Sequence, residues 1–122
     1  MERTAETDVK VFFNPSCSKC RTVRAILEER GVEAHYVRYL EHAPAREDLE
    51  EVLRLLGTDD PGEMMRPGDE LFKKLGLATA DREELLDAMA KNPALIERPI
   101  IIRGDHAIIG RPPERALELF KR

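Results

Sequence analysis

Cysteine is scarce in this chain: Cys17 and Cys20 are the only two in 122 residues. One close pair cannot staple a fold, so a disulfide scaffold is excluded, and the pair is left to redox chemistry, metal binding or coincidence. Histidine is equally sparse. His35, His42 and His106 are scattered, and two thiols supply at most two of the four ligands a structural zinc requires, so no metal site is expected. An excess of basic charge is missing too. The net charge is −4, with both signs interspersed, which leaves no extended cationic face to track a phosphate backbone and argues against nucleic acid as a direct partner. Long apolar runs are absent, so no segment is expected to span a membrane. The stretch Met1–Asp8 is polar and acidic and lacks the apolar core of a secretion signal, so it is expected to be a flexible leader on a cytoplasmic, monomeric protein. There is no internal repeat and no low-complexity tract. The length suits a single domain, 1–122.

What the chain does have is a regular order of elements. Val9-Lys10-Val11-Phe12-Phe13 reads as a strand ended by Asn14-Pro15. Ser16 then offers a helix cap with Cys17 as the first helical residue. Cys20, Val23, Ile26 and Leu27 recur at helical spacing until Gly31, a left-handed stop. His35–Tyr39 follows as a second strand, giving a parallel pair with a right-handed crossover. From 45 to 95 the pattern becomes helical. Arg46–Leu56 and Asp81–Ala90 carry periodic leucines, and Gly57, Pro61, Gly62, Pro67, Gly68 and Gly76 cut what lies between them into short pieces. Met64, Met65 and Met89 read as core fillers of this part, and Glu47-Asp48 with Glu50-Glu51 as a solvated face. Strands return at Pro99–Arg103 and His106–Gly110 around the turn Gly104-Asp105, and a last helix runs from Pro113 to Phe120. This order predicts an α/β fold, a thioredoxin- or glutaredoxin-like mixed sheet with a helical insertion between its second and third strands.

The position of Cys17 in that order carries chemistry. A thiol where a strand gives way to a helix meets unpaired backbone N–H groups and the positive end of the helix dipole, both of which favour the nucleophilic thiolate. Open α/β sheets also place ligands at the carboxyl ends of their strands. Cys20 falls on the same stripe as Val23 and Leu27, so it reads equally as a resolving thiol and as a small packing residue.

Asn14-Pro15-Ser16-Cys17-Ser18-Lys19, Met65-Arg66, Glu97-Arg98-Pro99-Ile100-Ile101 and Gly110-Arg111-Pro112-Pro113-Glu114 together resemble the glutaredoxin-fold arsenate reductases, the ArsC family, in the right order along the chain. The resemblance implies that Cys17 is the nucleophile that forms a covalent adduct with arsenate, and that Arg66, Arg98 and Arg111 bind the oxyanion. Guanidinium groups suit that task because they offer paired planar donors and stay charged. By the same resemblance Asn14, Ser16 and Lys19 support the cysteine, and Pro99 is the cis proline opposite it. No bound cofactor is implied. The electrons come from an external thiol, glutathione with glutaredoxin or else thioredoxin.

This sequence departs from the family pattern at two places. Phe13 stands where the best-known members have a histidine, so Lys19, Arg21 and the helix terminus are expected to activate Cys17. Cys20 stands where many relatives have serine. The Spx-like regulators, which bind RNA polymerase and use a C-x-x-C disulfide switch, share the fold and the cysteine pair, and the Arg111 run separates the chain from them.

Overall fold

β1 (Val9–Phe12) alternates as a half-buried strand must, with Val9 and Val11 buried and Lys10 exposed. It is the second strand of a four-stranded sheet of order β2-β1-β3-β4, seen in a computed structural model that describes residues 9–120. The expected leader, 1–8, lies outside the described residues. β2 (Ala34–Val37) runs parallel to β1, while β3 (Ile100–Arg103) is antiparallel to β1 and to β4 (His106–Ile109). This is the mixed, thioredoxin-like sheet that the element order predicts, with the helical segment inserted between its second and third strands. β2 is shorter than the predicted His35–Tyr39. Tyr39 lies beyond it, buried and stacked on Phe12 with ring centroids 6.0 Å apart.

Two compact units make up the chain, one of residues up to Tyr39 together with Arg98 onward, the other Leu40–Glu97. In the first, helix α1 (Ser18–Glu29) lays the stripe Cys20, Val23 and Leu27 onto the sheet, where it joins Val9, Val11, Phe13, Ile101, Ile108, Ala116 and Phe120 in one core. Each fully buried valine or leucine of that stripe contributes about 1.5–3 kcal/mol. Gly31 ends the helix with φ at 81°, a left-handed conformation that a residue with a Cβ resists, and the Val32 N–H returns to the Leu27 carbonyl. The predicted last helix, Pro113–Phe120, is a 3₁₀ helix instead. The tighter turn puts Pro113, Ala116 and Leu119 in one row, with Ala116 and Leu119 on the core side.

In the second unit, α2 (Arg46–Leu56) buries Leu49, Val52 and Leu53, and α4 (Arg82–Lys91) buries Leu85, Leu86 and Met89. Between them lies the short α3 (Glu70–Lys74). Asp81 and Glu84 close a reciprocal capping box at the start of α4, each side chain accepting the other's backbone N–H at 2.9 Å. Arg46 ties α2 to α4 through Glu83 and through Asp87, 2.8 Å away. Among the described residues, no helix is long and apolar enough to cross a membrane.

Candidate active site

The strand register decides what meets Cys17. Phe12 pairs with Val37 on one side and with Ile100 on the other, and Ile100 pairs with Ile109. The residues just after β1, just after β2, just before β3 and just after β4 therefore share one end of the sheet. Those are Asn14–Cys17, Tyr39, Arg98-Pro99 and Gly110-Arg111.

Asn14 shapes the turn that delivers the cysteine. Its side-chain oxygen accepts the Ser16 N–H at 3.0 Å, and its carbonyl accepts the Cys17 N–H at 2.9 Å. Cys17 itself is the N-cap, and α1 begins at Ser18, one residue later than the sequence suggests. Ser16 is exposed and serves the turn rather than the cap. The shift follows from the Asn14 turn, which leaves Cys17 in an extended conformation, φ −92° and ψ 123°. An N-cap side chain faces the free N–H groups of the first turn, so the thiol is better placed to meet them than it would be one residue further in.

No closed cap hydrogen bond is made by Cys17, but its electrostatic setting still favours the thiolate. Burial, the largest single influence, opposes ionisation, since the residue is only 8 % exposed. It is outweighed by the Cys20 N–H, the Arg98 guanidinium, the Cys20 thiol and the Lys19 N–H acting together, which hold the thiol below its ordinary range. The expected cations are thereby corrected. Lys19 acts through its main-chain N–H, and the guanidinium of Arg21 donates to the Pro15 carbonyl at 2.9 Å. The cation that meets the sulfur is Arg98.

Cys20 behaves in the opposite way. It is 0 % exposed, and burial pushes its thiol up to about 12, aided by the neighbouring Cys17 charge. The Asn14 N–H donates to its sulfur at 3.5 Å. Phe13, in the position expected to lack an activating imidazole, is buried in the core, with its ring edge-on to Tyr36 and under the Arg24 guanidinium.

The arginines divide between the units. Arg98 precedes a cis peptide bond to Pro99, as expected, and Arg111 donates from Nε to the Arg98 carbonyl at 3.0 Å, so these two are brought together with Cys17. Arg66 belongs to the second unit. There it is paired with Asp69 at 3.2 Å and Glu97 at 3.8 Å, on a bridge in which Met65 lies antiparallel to Ile96. That bridge gives Arg66 a defined backbone where the sequence suggests only broken pieces.

Two contributors escape sequence reasoning. Tyr39 acts electrostatically on Arg98, and no local pattern announces it. A Cβ at Gly110 would lie 3.0 Å from side-chain atoms of Pro99 and of Ile101 and 3.2 Å from Val23, so a larger residue there must push these neighbours aside by a few tenths of an ångström. The signal of Gly110 in the sequence is its place directly before Arg111, at the end of the β4 pattern. Among the described residues no group of three or more histidine, cysteine or acidic side chains is disposed to hold a metal.

Comparison with known proteins accords with this geometry. The model of the ArsC family matches residues 12–119. A protein of Haemophilus influenzae named arsenate reductase is 44% identical over 114 residues, covering 92% of this chain and 98% of its own. A Neisseria meningitidis arsenate reductase is 43% identical over 109 residues, 88% of this chain and 93% of that one. The solved structure of an arsenate reductase from Vibrio cholerae superposes with a TM-score of 0.88 at 41% identity, covering 91% of this chain and 96% of that one.

Proposed function

Since the chain belongs to the ArsC family, we propose that it is an arsenate reductase that takes its electrons from an external thiol. The observation that carries this reading is the Cys17 thiol at a helix start, met by the Arg98 guanidinium, with Arg111 fastened to the Arg98 carbonyl. A poised sulfur nucleophile beside two permanent cations suits a tetrahedral oxyanion.

The Cys17 thiolate attacks arsenic. A sulfur–arsenic bond forms, one arsenic–oxygen bond breaks, and that oxygen leaves as water after taking up protons from the oxyanion and solvent. Arg98 and Arg111 hold the remaining oxygens. The donor thiolate then attacks the Cys17 sulfur, and the sulfur–arsenic bond breaks with its electron pair passing to arsenic. Arsenic(V) becomes arsenic(III) and leaves as arsenite, while Cys17 is left in a mixed disulfide that a second thiol reduces. Burial pushes the Cys20 thiol up to about 12, which disfavours it as the attacking donor near neutral pH and supports an external thiol in that role. Glutaredoxin with glutathione, or thioredoxin, would supply it in the cytoplasm. The family pattern assigns Arg66 to the oxyanion as well, and an Arg66→Ala variant with a raised KM for arsenate would support that assignment.

A coupled assay tests the proposal by following arsenate-dependent oxidation of NADPH with the glutaredoxin and thioredoxin systems in parallel. Wild type should turn over with at least one of them, and Cys17→Ser with neither. A wild-type protein inert with both would sink the proposal. The regulator alternative predicts instead that immobilised protein retains RNA polymerase, and does so after Arg111→Ala.

A further inference from the structure

Arg66 is held twice, once through its backbone and once through its side chain. Met65 and Ile96 form the antiparallel bridge, the Arg66 N–H donates to the Leu95 carbonyl at 3.0 Å, and the Glu97 N–H donates to the Met64 carbonyl at 2.8 Å. Met64, Met65, Leu95 and Ile96 are all buried, so this backbone is anchored in apolar packing. Arg66-Pro67-Gly68-Asp69 then closes as a turn, with the Asp69 N–H returning to the Arg66 carbonyl at 3.0 Å. The turn brings the Asp69 carboxylate back to the arginine that opens it. Its two oxygens make different contacts: Oδ1 accepts the Leu71 N–H at 2.9 Å and caps α3, while Oδ2 accepts from Nη1 of Arg66 at 3.2 Å. Glu97 lies 3.8 Å from Nε, near enough for charge attraction and too far for a hydrogen bond. Among the described residues, the Arg66 guanidinium therefore commits a single N–H donor to a carboxylate and keeps the others of its fork for a ligand.

We propose that Asp69 is a positioning residue for Arg66, its Oδ2 holding the guanidinium ready for the oxyanion independently of the helix cap that Oδ1 makes. This rests on the assignment of Arg66 to the oxyanion under the proposed function. The cap alone does not call for aspartate, since asparagine and serine cap a helix as well. Each of those brings one acceptor oxygen where aspartate brings two, so neither serves the Leu71 N–H and the Arg66 guanidinium together. A long side chain left loose must be ordered when the anion binds, whereas one already held is ordered beforehand. The carboxylate also offsets part of the Arg66 charge, which works against an anion. The pair is partly exposed and water screens that charge, so the holding effect wins.

The test measures KM and kcat for arsenate in the coupled assay, with thermal unfolding alongside, on wild type, Asp69→Asn, Asp69→Ser, Asp69→Ala, Arg66→Ala and the double variant Arg66→Ala with Asp69→Asn. Asparagine and serine keep the cap, so those two should unfold with wild type and Asp69→Ala below it. All three Asp69 variants should raise KM about fivefold, the cost of ordering one long side chain on binding, with kcat within about twofold of wild type. In the double variant the Asp69 change should add nothing to the effect of Arg66→Ala, because the residue it positions is gone. A wild-type KM in Asp69→Asn and Asp69→Ser would overturn the proposal and leave Asp69 to the cap. A lowered KM would overturn it in favour of a carboxylate that competes with the oxyanion, and a KM increase that persists undiminished without Arg66 would overturn it as well. Arg66→Ala with a wild-type KM would overturn the Arg66 assignment and this inference together, which sets that failure apart from the others. A wild-type protein inert with both donor systems would remove the proposed function and this inference with it.

Discussion

Replacing Arg98 with alanine removes a charge-assisted contact to the Cys17 sulfur and, on the proposed function, a cation that would bind the oxyanion as well. A hydrogen bond to a charged group contributes about 1.5–3 kcal/mol. Arg98 is partly exposed, so water screens the contact and the lower end, about 1.5 kcal/mol, applies. That corresponds to roughly tenfold less thiolate at neutral pH, and the alkylation rate of Cys17 should fall by the same factor. Arsenate turnover should fall further. Losing one paired contact to the oxyanion costs about as much again, which brings kcat/KM down roughly a hundredfold in total. Arg98→Lys restores a charge without the planar fork, so it should recover alkylation more than turnover. The assay is therefore a pair: iodoacetamide alkylation of the reduced protein and arsenate-dependent NADPH oxidation, run on the same preparations. If Arg98→Ala alkylates at the wild-type rate through the whole pH series, Arg98 does not hold the thiolate. If alkylation and turnover fall by equal factors, Arg98 does not touch the oxyanion.

Three further outcomes follow from the same structure. Gly110→Ala should cost about 1–3 kcal/mol in urea unfolding, because the added methyl must displace Pro99 and Ile101, and it should also slow Cys17 alkylation by moving the segment that carries Arg98; an unchanged midpoint would mean the neighbours yield freely. Phe120→Ala should cost about 3–5 kcal/mol, since the ring is buried in the core and lies under the guanidinium groups of both Arg30 at 5.2 Å and Arg103 at 4.5 Å, and thermal unfolding would show the loss. For pH, a thiol held below its ordinary range is reactive above its midpoint and loses reactivity as pH falls through it. Cys17 alkylation should therefore level off before the normal thiol range, while Cys20, pushed up to about 12, stays unalkylated in the folded protein across that range.

The sequence by itself determined the elements and their order, because those rest on short-range physics. Alternation in Val9-Lys10-Val11, the Cys20, Val23, Leu27 stripe and the stop at Gly31 are each readable within one or two turns of chain. The placement of Cys17 at a strand-to-helix junction follows from the same local signals, though which residue takes the N-cap position did not. Asn14 competes for the turn, and which residue becomes the N-cap depends on hydrogen bonds that a pattern of residue types does not distinguish. Tertiary structure alone decided which cation meets the thiolate. Lys19 and Arg21 are near Cys17 in sequence, but it is Arg98 that reaches the sulfur, because antiparallel pairing sets Phe12 opposite Ile100 and brings the start of β3 to the end of β1. The difference between the two cysteines is also a tertiary matter. Three residues apart in an identical chemical type, they part because one caps the first turn at the rim of the site and the other is closed into the core, where desolvation keeps its proton in place.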